Sequence, residues 1–384
     1  MIASEQKIYF INRKEDLNAF LPKLEMRRRI AVDLEADSMF HFKERVCLVQ
    51  IATKEMTLVI DTVRIDDLTC LKPLFINPSI EKIFHGSDYD VRSLYRDFQI
   101  PIHNLFDTEL ASRFLGMKET GLGAVLSNHF SVTLDKKFQK KDWSQRPLPQ
   151  DMIEYGARDV IYLLPLAKLL QQALKNMGRL SWVLEECEHQ SRVRPPVVDD
   201  SEPLFLKVRG AGRLDRKSLG ILEALLKYRL EKASQMNRPP FKVLNNRLLL
   251  ELAVKRPGTM EMLTQDKLLS PRQISMYGKG IVHGIRHGLG ISKDDLPVYP
   301  QKRPPRLKPN VTKRIEKIKT WRDQVADRLC LDGSLILNKA LITDIAVKYP
   351  KTMSDLDKIG GLKNWQKKEF GAEIIHALSP SFIT

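Results

Sequence analysis

The spacing of apolar residues changes character near the middle of the chain. In the first half, short aliphatic runs at 30–34, 46–52 and 57–61 predict three strands close enough together to form a meander. Helical periodicity at 65–75, a short strand at 82–84, a helix over 87–98 and a strand-like piece at 100–106 follow. Helices are predicted at 108–115 and 121–129, and a long helical region runs over 148–177, where Pro165 marks a kink or break. Hairpin strands followed by strand–helix alternation predict a mixed sheet covered by helices.

Past a polar, proline-bearing stretch at 191–203 the strand signals stop. The remainder reads as helices, interrupted by a second basic, proline-rich linker within 293–310. This helical half repeats itself. Shifted by 93 residues, Tyr228-Arg229 falls on Trp321-Arg322, Asn245 on Asn338, Leu248 on Leu341, and Tyr277-Gly278 on Phe370-Gly371. Ala253-Val254-Lys255-Arg256-Pro257 falls on Ala346-Val347-Lys348-Tyr349-Pro350 without a gap. Matched Pro, Gly and Asn positions point to two copies of one helical module.

Composition sharpens this division. The chain carries a net charge of +16, but residues 1–200 hold 28 Lys and Arg against 29 Asp and Glu, while residues 201–384 hold 35 against 18. The positive charge belongs to the helical half, which favours a polyanion such as nucleic acid over an anionic membrane surface. With 384 residues there is room for two or three domains. Cys47, Cys70, Cys187 and Cys330 lie far apart and form no Cys-x-x-Cys pair, which suits neither a zinc site nor a disulfide framework. No apolar run is long enough to span a bilayer, and the N-terminus lacks a secretory pattern, so a cytoplasmic location is expected.

Candidate chemistry sits in the first half. Asp33 and Glu35 share one face of the first predicted strand, where two neighbouring acids repel unless a cation holds them. A lone Asp-x-Glu is more often a solvated strand end. Two further acidic clusters change that balance. His85-Gly86-Ser87-Asp88-Tyr89-Asp90 opens a helix, and Tyr155 and Asp159 lie one helical turn apart. Each has an innocent alternative: Ser87 with Asp90 as a capping box, and Tyr155 with Asp159 as a polar rim. Together they supply four carboxylates and a phenol, a set suited to phosphodiester hydrolysis with two divalent cations. The loop 136–143 reads equally as a solvated turn or as a place where Lys140 and Lys141 neutralise phosphates and Trp143 stacks on a base.

These motifs, in this order, resemble those of the DEDDy exonucleases. The surrounding Cys47-Leu48-Val49-Gln50-Ile51, Leu105-Phe106-Asp107-Thr108 and Asp142-Trp143-Ser144-Gln145-Arg146-Pro147 are similar to the ribonuclease D family in particular. The repeated module resembles the HRDC domain, a nucleic-acid-binding or protein-docking bundle. The resemblance implies an α/β (α+β) RNase H-like mixed-sheet exonuclease domain over 1–190, a linker at 191–203, an HRDC bundle over 204–292, a basic linker at 293–310 and a second HRDC bundle over 311–384.

By the same resemblance Asp33, Glu35, Asp90 and Asp159 are metal ligands for two Mg²⁺ or Mn²⁺ ions, and Tyr155 orients the attacking water. Asp88 competes with Asp90, and the family spacing from His85 favours Asp90. His85 reads as structural rather than as a base, Asp37 as lying beyond the strand's end, and Gln50 and Asp107 match the pattern without an assigned role. Candidate nucleic-acid contacts are Lys140, Lys141, Trp143, Arg146, Arg229 and Arg322. The implied activity is 3′–5′ exoribonuclease cleavage releasing 5′-mononucleotides from tRNA precursors and other structured RNAs with 3′ extensions. The rivals are a DNA exonuclease of proofreading or repair type and a catalytically silent nucleic-acid tether. Removing residues 204–384 is expected to weaken RNA binding more than the chemical step.

Overall fold

The computed structural model describes residues 6–196, 201–300 and 307–379. The segments 197–200 and 301–306, parts of the two expected linkers, lie outside the described residues. Chain contacts divide the molecule into two compact units that do not follow the linear order. One comprises residues 1–36, 46–195 and 306–384, the other residues 37–45 and 196–305.

The first unit is built on a sheet. Among the described residues its strands are β1 (Lys7–Ile11), β2 (Arg29–Ala36), β3 (Val46–Ala52), β4 (Met56–Asp61), β5 (Glu81–Phe84) and β6 (Leu105–Asp107), ordered β1-β4-β3-β2-β5-β6. β2, β3 and β4 are antiparallel neighbours and form the expected meander, while β1, β5 and β6 add in parallel. Every residue of β3 is buried, so both faces of the sheet's centre are covered.

The covering helices are α1 (Lys14–Glu25), α2 (Lys72–Ile76), α3 (Asp88–Phe98), α4 (Thr108–Phe114), α5 (Leu122–Phe130), α6 (Gln150–Ile161), α7 (Leu163–Asn176) and α8 (Leu180–Ser191). Three differences from the sequence reading have local causes. β1 and α1 were not predicted, because β1 is an edge strand made only by its pairing with β4. In the stretch 65–75, residues 65–68 are irregular and the rest is helical, a 3₁₀ turn at Thr69–Leu71 leading into α2. The break in the long helical region falls at Tyr162, and Pro165 sits in the first turn of α7, where its missing N–H leaves no bond unmade.

The same unit contains the second helical copy, whose core is continuous with that of the sheet domain. Trp365 stacks on Trp182 at 4.8 Å and meets the edge of Phe114 at 5.6 Å. The Glu185 carboxylate accepts the Asn364 and Trp365 N–H groups at 2.7 and 2.9 Å, capping the helix Asn364–Leu378 from the neighbouring domain. Glu186 pairs with Lys363 and accepts the Trp365 indole N–H at 2.9 Å. A Cβ at Gly116, whose φ is +81°, would lie 2.5 Å from the Cys330 carbonyl oxygen. Removing residues 204–384 would therefore also strip Trp182 and Phe114 of their cover, a stability cost that stands apart from the expected effect on RNA binding.

The second unit is the first helical copy, closed around its own core, with the loop 37–45. The Phe42 N–H donates to Asn237 Oδ1 at 3.2 Å, and Lys242 lies over the Phe40 ring at 4.3 Å. The two copies match in detail. Asn245 caps the helix Asn246–Lys255 through the Leu248 N–H, and Asn338 caps Lys339–Lys348 through the Leu341 N–H. Both helices end on a left-handed residue, Arg256 in one and Tyr349 in the other. Arg229 donates to the Leu244 carbonyl and Arg322 to that of Leu337, so the repeated arginine braces the same turn in each.

Candidate active site

β2 delivers the first two carboxylates from near the middle of the sheet. Asp33 and Glu35, two residues apart, point to one face. The strand ends at Ala36, and Asp37 is spent on the following loop, accepting the Arg45 N–H at 2.7 Å.

Asp90 arrives from α3, which follows β5, the parallel neighbour of β2. Ser87 does not cap that helix with its side chain, so the capping-box alternative does not hold. Its hydroxyl donates instead to Asp107 at 2.8 Å. Asp107, 2% exposed, also accepts the N–H groups of Gly86 (2.9 Å), Ser87 (2.7 Å), Glu109 (2.8 Å) and Leu110 (3.2 Å). One buried carboxylate thus caps α4 and holds the turn, left-handed at Gly86, from which α3 starts. The signal in the sequence was an Asp between a short strand and a helix.

Asp90 is 6% exposed and faces Asp33 electrostatically, whereas its competitor Asp88 lies outward and binds Arg92 at 2.8 Å. His85 places Nδ1 2.9 Å from the Thr108 hydroxyl, burial lowers its pKa, and it borders the cavity described below.

α6 packs across β2, β3 and β4 and contributes Tyr155 and Asp159 from one face. The Tyr155 ring rests edge-on against Phe138 at 5.6 Å and tilted against Trp143 at 6.0 Å. Trp143 is 1% exposed and forms part of a small core between α6 and the sheet, which corrects its expected role: it has no open face for a base and instead backs the tyrosine.

Arg146 is likewise turned inward. It forms a two-pronged bond to Asp61 with both contacts at 2.6 Å, and donates to the carbonyls of Trp143, Gln145 and Cys47. Arg229 and Arg322 serve as the braces described above. Lys140 and Lys141 are exposed.

The four carboxylates interact although they come from three distant segments. Burial, and then the charges of Asp90, Asp159 and Glu35, push the Asp33 pKa well above the carboxylate range. Glu35 is raised in the same way by burial, Asp159 and Asp90. Asp90 is pushed up to about 7 by burial and then by Asp107, and Asp159 to about 7 by burial. Asp33, Glu35, Tyr155 and Asp159 line one cavity of about 580 Å³ with Lys136 and the start of α5, and Tyr155 and Asp159 also border a smaller one of about 170 Å³.

Among the described residues no group of three or more His, Cys, Asp or Glu side chains stands together as a ready-made metal cage. The chemistry of the four carboxylates fits a hard cation: all donors are oxygens, and their charges are mutually unfavourable until something positive is added.

Comparison with known proteins identifies the family. A family model described as 3′-5′ exonuclease matches residues 8–175, and the HRDC domain model matches residues 218–285 and 311–378. The chain is 26% identical over 377 residues to ribonuclease D of Granulibacter bethesdensis, covering 95% of this chain and 91% of that protein. It is 30% identical over 295 residues to ribonuclease D of Desulfotalea psychrophila, covering 76% and 78%. The crystal structure of Escherichia coli RNase D, described as an exoribonuclease involved in structured RNA processing, shares the fold with a TM-score of 0.71 at 24% identity, over 97% of this chain and 98% of that one. Similarity that runs through the sheet domain and on into the helical modules makes this chain a member of the ribonuclease D family.

Proposed function

We propose that this 3′–5′ exoribonuclease trims RNA with two divalent cations, Mg²⁺ or Mn²⁺, held by Asp33, Glu35, Asp90 and Asp159, releasing 5′-mononucleotides. The observation that carries the reading is that Asp33, Glu35 and Asp159 line one cavity with Tyr155, while Asp90, outside its lining, is buried at the start of α3 and acts electrostatically on Asp33 and Glu35. When bound, such ions would lower the pKa of an attacking water and offset charge on the leaving oxygen.

The chain's own residues do the rest. Burial and the neighbouring acids raise the Tyr155 pKa, so its phenol stays protonated at neutral pH and can orient a water by hydrogen bonding without acting as a base. Phe138 and Trp143 fix its ring. Lys136, at the cavity wall, and the exposed Lys140 and Lys141 on the same loop are the cations proposed to neutralise the phosphate backbone.

The physiological substrates are proposed to be tRNA precursors and other structured RNAs with 3′ extensions, drawn by the surplus of 35 Lys and Arg over 18 Asp and Glu in residues 201–384. Among the described residues no helix is long and apolar enough to cross a membrane, and a cytoplasmic site of action fits these substrates.

Product analysis on a 3′-labelled tRNA precursor tests the reading. Native protein should release mononucleotides with Mg²⁺ or Mn²⁺ and none with chelator, and Asp33→Asn should leave the end intact. A native protein that binds the RNA yet cuts nothing with either ion would overturn it in favour of the silent tether.

A further inference from the structure

β3 reads Val-Cys-Leu-Val-Gln-Ile-Ala, and Gln50 is its one strongly polar side chain. Gln50 is 0% exposed. Neither its Oε1 nor its Nε2 has a hydrogen-bond partner among the described residues. A buried amide left unpaired costs stability, and an apolar side chain of similar size would avoid that cost. The strand has no need of this group for its own packing.

Its neighbours indicate what the amide serves. In the antiparallel register of β2 and β3, Gln50 stands directly opposite Asp33, and such partners share a face with Cβ atoms about 4.5–5.5 Å apart. From above, α6 closes over it. A Cβ at Gly156 would fall 2.8 Å from Gln50 Nε2, so glycine lets the helix come down until it touches the amide. Gly156 is the residue after Tyr155 and lies one turn before Asp159. The amide is therefore wedged between the strand that carries one pair of site residues and the helix that carries the other.

We propose that Gln50 is a positioning residue for Asp33, its Nε2–H group, unpaired in this structure, donating to the Asp33 carboxylate when that carboxylate ligates a divalent cation and so fixing its orientation, with Gly156 setting the height of the helix that keeps the amide in place. This rests on the two-cation reading of the site. It explains why an unpaired amide is kept in an apolar strand, and why the helix has no side chain at the point of closest approach.

The test uses the full chain and reads Mn²⁺ binding by electron paramagnetic resonance, beside melting temperature in chelator and steady-state RNA cleavage. Gln50→Leu should melt at the same or a higher temperature without metal, bind Mn²⁺ about 10–100-fold more weakly, and lose kcat with KM for RNA unchanged. Gly156→Ala keeps the amide but displaces it, and should weaken Mn²⁺ binding in the same direction even if Gln50→Leu folds poorly. Wild-type Mn²⁺ affinity and kcat in both variants would overturn the inference, and so would a loss of affinity that only tracks a lower melting temperature. A wild-type chain that binds no Mn²⁺ and leaves RNA intact would instead sink the two-cation reading, and this inference with it.

Discussion

Trp365 lies nearly flat on Trp182, with ring centroids 4.8 Å apart and planes 19° apart, although one belongs to the second helical module and the other to the last helix of the sheet domain. The pair is part of one continuous core. Trp365→Ala should cost about 3–5 kcal/mol. The loss should appear as one cooperative shift in denaturant unfolding of the whole first unit. Separate melting of the second module with an unchanged sheet domain would contradict the shared core.

Asp107 joins two helix starts through five accepted hydrogen bonds. Asp107→Ala should lower stability by roughly 3 kcal/mol or more, because several buried N–H groups lose their acceptor at once. Asp107→Asn should be intermediate, since its NH₂ group faces donors. Both should reduce RNA cleavage by the folded protein, measured well below the unfolding midpoint, because the turn they release carries Asp90.

The raised carboxyl pKa values predict a pH dependence in chelator. Asp90 and Asp159, at about 7 in the folded chain, bind more protons than the unfolded chain does between about pH 4 and 7. Metal-free stability should therefore fall as pH rises through this window. Asp90→Asn and Asp159→Asn should each be more stable than wild type at pH 8, by on the order of 2 kcal/mol, and close to it at pH 4. Thermal melts across pH measure this, and saturating Mg²⁺ should flatten the wild-type curve.

The basic loop divides into two kinds of residue. Replacing exposed Lys140 and Lys141 by Ala should weaken RNA binding and flatten its salt dependence by up to about 0.7 in log–log slope per lost phosphate contact on a single strand. The chemical step should be unaffected under saturating RNA. Trp143→Ala, by contrast, should cost about 3–5 kcal/mol of stability and lower kcat through Tyr155, with little change in the salt slope.

Residue identity and spacing carried much of this protein. Asp33 with Glu35 and Tyr155 with Asp159 could be set on common faces because strand and helix periods are local, Asp90 was singled out from Asp88 only by the family resemblance, and the 93-residue repeat was legible because capping Asn, turn-forming Pro and close-packed Gly are set by local backbone needs. Trp143 was misread because a polar, cationic neighbourhood looks solvent-facing, while its burial is decided by α6 descending onto the sheet. Asp107 stayed without a role for a related reason, because it joins groups from two separate stretches of chain, and Gln50 because its neighbours Asp33 and Gly156 lie on other elements. The fusion of the second module to the sheet domain was invisible in the linear order, since Glu185 and Trp182 meet Asn364 and Trp365 only through long-range packing. The sequence determined which groups could do chemistry and which segments repeat. The tertiary structure decided which side chains turn inward and what holds the site in shape, because burial depends on partners that no local pattern encodes.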